Sequence, residues 1–141
     1  MKNVELKSAV DFHGHLGPYL VLGIIAGRAA MKKLNSKKYF GLEVKVWGAS
    51  KKPKSCLIDG LQLSTGATYG KGNIHKFNGN KIKISLVNTE NKKSITLELS
   101  KELVERLNQL RGHSDSKKFA KELLKFNPAR LFEERLCRCQ A

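Results

Sequence analysis

Apolar residues are spread unevenly along the chain, and the first dense run sets the architecture. Leu20, Val21, Leu22, Ile24 and Ile25 cover nearly the whole circumference of a helix that opens at Gly17-Pro18 and runs to about Asn35. Proline suits the first helical position, where a missing N–H costs nothing, and a helix apolar all round is one enclosed by other elements. Gly23 and Gly27 lie one turn apart inside it, either as tolerated small residues or because another backbone, from a neighbouring element or a second copy of the chain, presses close. Residues 42–47 then alternate at period two and predict a strand, followed by a basic turn over residues 49–53. A second helix is predicted from Lys54-Ser55 to Thr65-Gly66, with Leu57, Ile58 and Leu61 at helical spacing. Residues 74–77, 81–87 and 94–99 read as further strands joined by Asn78-Gly79-Asn80 and residues 89–93, an order that suggests an antiparallel meander. Ser100 is a good N-cap for a helix carrying Leu103, Val104, Leu107 and Leu110 and closing at Gly112. A last helix begins near Ser114-Asp115-Ser116, buries Phe119, Leu123 and Leu124, and stops at Asn127-Pro128. The class is α+β, with no internal repeat and no low-complexity tract.

Composition narrows the setting. The chain has 141 residues and 40% hydrophobic content, enough for one continuous core. It divides into a domain over residues 1–136 and a short cysteine-containing tail over residues 137–141. Three cysteines in a chain of this size fit a reducing compartment, so a cytoplasmic location is expected. The apolar run over residues 16–27 is broken by Gly17, Pro18 and Gly23 and ends at Arg28, too short for a membrane span, and the acidic and histidine residues before it make a poor leader. No membrane association is expected. Lys and Arg number 27 against 12 Asp and Glu, a formal charge of +15. Anionic partners are therefore favoured: nucleic acid, an acidic protein surface, or a phosphorylated or carboxylated small molecule. The lysines are scattered with little aromatic interleaving, which fits a solvated basic surface better than a dedicated nucleic-acid face.

Three segments carry candidate chemistry. His13-Gly14-His15 offers a His-x-His spacing in which alternate residues of an extended stretch aim two imidazoles to one side, suited to Zn, Fe, Ni or Cu; two histidines before a helix also serve as capping or packing groups. Cys56 falls in the first turn of the second helix, where the dipole, with Lys52 and Lys54 nearby, would stabilise a thiolate. Metal ligand, nucleophile and small buried hydrophobe are all open to it. Asp59, three residues on, shares its helix face and could orient an imidazole or accept a proton. The glycine-rich stretch of Thr65, Gly66, Thr68, Gly70, Lys71, Gly72 and Asn73 could bring backbone N–H groups to an anionic ligand, although it lacks the Walker A spacing.

The segments Phe12-His13-Gly14-His15-Leu16-Gly17-Pro18-Tyr19, Ser55-Cys56-Leu57-Ile58-Asp59-Gly60-Leu61-Gln62 and Thr65-Gly66-Ala67-Thr68-Tyr69-Gly70-Lys71-Gly72-Asn73, in that order, resemble the signature of the formylmethanofuran dehydrogenase E-subunit family over roughly residues 5–111. The resemblance implies a thioredoxin-like core with a mixed or antiparallel sheet of about five strands flanked by helices, a homodimer, and a metal-binding active site. On it, His13, His15 and Cys56 inherit the ligand role, and Asp59, Thr65, Lys71 and Asn73 line the pocket. Two departures simplify the site: many members carry cysteine where this chain has Gly17 and Ala67. Some members also have a C-terminal zinc finger, of which Cys137-Arg138-Cys139 would be a remnant, half of an intermolecular site or part of a disordered tail.

The leading expectation is a metal-binding protein, with zinc the expected ion. Cys56, His15 and Asp59 would do chemistry on an unidentified substrate, in a role accessory to one-carbon or molybdenum and tungsten enzyme metabolism. An ion held by imidazole and one thiolate keeps a position open for water or substrate. The rival is a non-catalytic basic module that docks on nucleic acid or an acidic protein, which would show steep salt dependence. A thiol redox protein is the weakest fit, because no Cys-x-x-Cys is present.

Overall fold

The structure, a computed structural model, describes residues 3–138, with side chains from residue 5 to residue 137. Its elements are α1 (Asn3–His13), α2 (Pro18–Leu34), β1 (Leu42–Trp47), α3 (Cys56–Thr65), β2 (Ile74–Phe77), β3 (Lys83–Asn88), β4 (Lys93–Leu99), α4 (Lys101–Asn108), α5 (Gly112–Leu123), α6 (Pro128–Leu131) and β5 (Phe132–Arg138). The five strands form one sheet in the order β2-β1-β3-β4-β5. β1 and β2 are parallel and every other pairing is antiparallel. The chain is thus α+β with a mixed, open five-stranded sheet flanked by helices.

The antiparallel meander expected for residues 74–99 is corrected at its first strand. β1, α3 and β2 form a crossover unit, and a helix returning the chain to the start of its neighbour makes the two strands parallel. The turn at residues 78–80 therefore carries the chain past the end of β1 instead of folding a hairpin, and β3 pairs on the far side of β1. Gly112 opens α5 and does not close α4. Pro128, expected to end the last helix, starts the single turn of α6, with the Asn127 side chain accepting from the Ala129 N–H at 3.0 Å. Besides α6, two elements depart from the sequence expectation, α1 and β5. The second draws Cys137 into the sheet opposite Ser94, so Cys137 is an exposed edge-strand residue rather than part of a disordered tail; Cys139 lies outside the described residues.

Alternation in the strands sends Leu42, Val44 and Val46, Ile84 and Leu86, and Ile95, Leu97 and Leu99 into one buried face, while the positions between them stay exposed or half-exposed. α2 fills the layer over that face. Its glycines do meet another backbone, that of α3: a Cβ on Gly23 would stand 2.9 Å from the Cα of Gly60, and Gly27 faces Ser64. The Ser64 hydroxyl reaches across the contact to the Gly23 carbonyl at 3.2 Å while sharing its one proton with the Gly60 carbonyl of its own helix at 2.9 Å. Among the described residues no helix is long and apolar enough to cross a membrane.

Candidate functional site

α1 stops at His13 because Gly14 takes a φ of +106° while still donating to the Val10 carbonyl at 2.7 Å. This helix end, rather than an extended stretch, brings the two imidazoles together: the His13 and His15 rings lie 4.7 Å apart, tilted by 40°. His15 is exposed. His13 is turned inward with 9% of its side chain accessible, and its Nδ1 meets Asp59 Oδ2 at 2.6 Å. A carboxylate can only accept, so Nδ1 carries a proton, and in the neutral imidazole Nε2 is then the nitrogen with the lone pair. That Nε2 is buried and has no hydrogen-bond partner among the described residues. An unsatisfied buried polar atom costs about 1–3 kcal/mol, so its retention points to a group it would bind.

The Asp59 carboxylate has a second contact, accepting from Gln62 Nε2 at 3.4 Å, and Gln62 Oε1 in turn accepts the Tyr69 N–H at 2.9 Å. One polar chain therefore runs from the end of α1, across one face of α3, to the glycine-rich loop. Gln62 was not among the expected site residues. Its signal was its place three residues after Asp59, which puts both side chains on one helix face.

Cys56 is the first residue of α3, as its helix-start motif required, and is half-buried. Its thiol pKa is nevertheless raised, chiefly by burial and next by the Asp59 charge, with Lys52 pulling the other way. The expected thiolate stabilisation by dipole and lysine is outweighed in the protein as it stands. Alkylation by iodoacetamide should therefore keep accelerating through the pH at which an ordinary thiol has levelled off. Asp59→Asn should speed the reaction at a fixed pH near 8 and Lys52→Ala should slow it, both followed by peptide mapping. Equal rates in all three proteins would contradict this electrostatic picture.

The loop at residues 66–73 directs its donors to itself and to the end of α3. The Gly66 N–H donates to the Gln62 carbonyl, Ala67 to Thr65 Oγ1, Thr68 to Asn73 Oδ1, and Gly72 to the Thr68 carbonyl. Lys71 Nζ lies 3.0 Å from Thr68 Oγ1, with the lysine exposed. Thr65 and Asn73 are buried clamps at the C-terminal end of α3, Asn73 holding the Tyr39 carbonyl at 2.8 Å. The structure thus gathers His13, His15, Asp59 and Gln62 and connects them to Tyr69, whereas Thr65 and Asn73 sit at the opposite end of α3 from Cys56. Among the described residues no three of His, Cys, Asp and Glu are drawn together tightly enough to hold an ion. What fits a metal is His13, carboxylate-oriented through one nitrogen with the other vacant, the arrangement common to metal-ligating imidazoles.

Comparison with known proteins agrees with this fold. The family model described as FmdE, Molybdenum formylmethanofuran dehydrogenase operon, matches residues 12–137. A relative described as "Probable S-adenosyl-L-methionine-binding protein", from Archaeoglobus fulgidus, is 28% identical over 103 residues, which is 70% of this chain. The chain spans only 27% of that relative's length. A tungsten formylmethanofuran dehydrogenase FmdE-like protein from Syntrophus aciditrophicus has the same fold, with a TM-score of 0.63 at 18% identity over 96% of this chain and 71% of that one.

Proposed function

This chain belongs to the FmdE family, and from that premise we propose that it is a metal-binding protein, accessory to molybdenum or tungsten enzyme metabolism, whose centre starts from His13, with His15 and Cys56 as the further donors that an incoming ion would have to draw in. The observation that carries the reading is the vacant, buried Nε2 of His13 beside an Nδ1 fixed by Asp59. Zinc is the ion proposed, since imidazole and thiolate are its preferred donors. A bound divalent ion would supply Lewis acidity at an open coordination position.

The chain's own residues do the rest. Asp59 fixes the tautomer of His13 and keeps its ring in place, and Gln62 holds the free lobe of that carboxylate. His15, exposed beside His13, would accept a proton from a bound substrate where it does not itself hold the ion. Cys56 has to lose its proton on binding an ion, and its raised pKa makes metal uptake release a proton at neutral pH. Lys71 presents an exposed ammonium at the rim of the loop, where an anionic substrate group could pair with it.

Elemental analysis of the protein purified without chelator or metal-affinity resin tests the reading. About one zinc per chain is expected, falling to a small fraction of that in His13→Ala and in Cys56→Ala. A metal-free wild type, or variants that retain the same metal, would remove the proposal.

A further inference from the structure

A cleft of about 510 Å³ opens where β3 begins and β4 ends, bounded on one side by α4. Its size is that of a small-molecule site, about 300–1,000 Å³. The floor is apolar: Ile82, Leu99 and Leu107, each slightly exposed, with Val104 at 39% accessible. The parallel register of α2 and α3, Gly23 on Gly60 and Gly27 on Ser64, puts Tyr19 one turn back, level with Cys56. Tyr19 and Lys54 also line the cleft.

What marks this cleft is that several local rules are broken at its edge together. Lys101 occupies the first turn of α4, where the helix dipole disfavours a cation. Glu98 stands directly opposite Lys83 on β3 and Glu133 on β5, so on the β5 side it meets a like charge, a pairing that weakens a sheet. Lys54 and Lys81 reach the same cleft from two further segments. None of the five charged groups lining the cleft is in an ion pair among the described residues. Local conflicts that coincide at one cavity are the mark of a site kept for binding rather than for stability. Two carboxylates from adjacent strands and ammonium groups from three separate segments thus line one cleft.

We propose that this cleft binds a small amphoteric molecule, one whose apolar body carries both a carboxylate and an ammonium group. The lysines take the carboxylate, Glu98 and Glu133 take the ammonium, and the floor over Leu99 and Val104 takes the body. The site goes beyond the metal centre and does not depend on it.

Methyl NMR titration of the full chain with L-phenylalanine, 3-phenylpropionate and phenethylamine tests it, because these probes share one body and differ in charge. L-Phenylalanine should shift the methyls of Ile82, Leu99, Val104 and Leu107 and bind more tightly than either singly charged analogue. Lys101→Gln should weaken L-phenylalanine and 3-phenylpropionate about tenfold and leave phenethylamine unchanged; Glu133→Gln should weaken L-phenylalanine and phenethylamine only. Lys101→Glu should raise Tm while losing L-phenylalanine, which separates lost binding from lost folding. His13→Ala should leave all three titrations as in the wild type, whatever it does to metal content. Methyls unmoved by L-phenylalanine at about 10 mM, analogues that bind as well as it does, or substitutions that act alike on all three probes would each overturn the proposal.

Discussion

Gly60→Ala is expected to lower stability by about 3 kcal/mol and Tm by about 10 °C. An alanine Cβ at that position would lie 2.8 Å from the Ile24 nitrogen and 2.9 Å from the Gly23 Cα, and closer still to the Leu20 carbonyl. All three are backbone atoms of α2, so no side-chain rotation relieves the overlap. α2 and α3 must part, and the buried layer between them contains Leu20, Leu57 and Leu61, all fully inaccessible. Parting also lengthens the bond from the Ser64 hydroxyl to the Gly23 carbonyl, which crosses the contact. Gly70→Ala is the control, since nothing lies within 4 Å of its added Cβ and its φ is not positive; its Tm should stay within about 2 °C of the wild type. Thermal and urea melts of the two variants decide the matter, and a Gly60→Ala protein melting with the wild type would refute the helix contact.

That contact was half legible in the sequence. Two glycines one turn apart inside a helix apolar all round announce a close neighbour, but nothing local says whether it is an element of the same chain or of another. The strand at residues 42–47 was plain because alternation survives when one sheet face is buried and the other is not. β5 was hidden because Phe132-Glu133-Glu134-Arg135 shows no such alternation; its residues lie at a sheet edge, where solvent tolerates charge on both faces. The parallel pairing of β2 was masked by Asn78-Gly79-Asn80, which has the composition of a hairpin turn and is instead a passage around the end of β1. At the site, the residue types and their helix face could be read, including a carboxylate placed to orient an imidazole. Which imidazole it meets depends on where α1 ends, and α1 was not seen. The thiol's raised pKa was misjudged for the same reason: dipole and lysine are sequence neighbours, whereas burial belongs to the folded chain. The sequence presents the loop as a set of free N–H donors, yet these are taken up by nearby carbonyls and by side chains, among them Gln62 and Asn73, whose aim only the fold fixes.

Asp59→Asn is expected to weaken zinc binding by about 10–100-fold, the usual effect of losing a carboxylate behind a ligating imidazole. The asparagine has nearly the same volume, so packing against α1 is kept and the change falls on charge and proton placement. Its amide can present either oxygen or NH₂ to Nδ1; when NH₂ faces the ring, Nδ1 must be the acceptor and the proton moves to Nε2, the nitrogen left buried and unpartnered in the wild type. The ligating lone pair is then lost in part of the population. Gln62→Ala should cost much less, because it touches the carboxylate only through the 3.4 Å contact and leaves the 2.6 Å bond to His13 in place. Competition with a chromophoric chelator at constant pH gives both affinities. A ratio near unity for Asp59→Asn would show that the carboxylate does not set the tautomer. Equal losses in the two variants would show instead that the whole chain from His13 to Tyr69, rather than the single bond at its inner end, holds the imidazole in place.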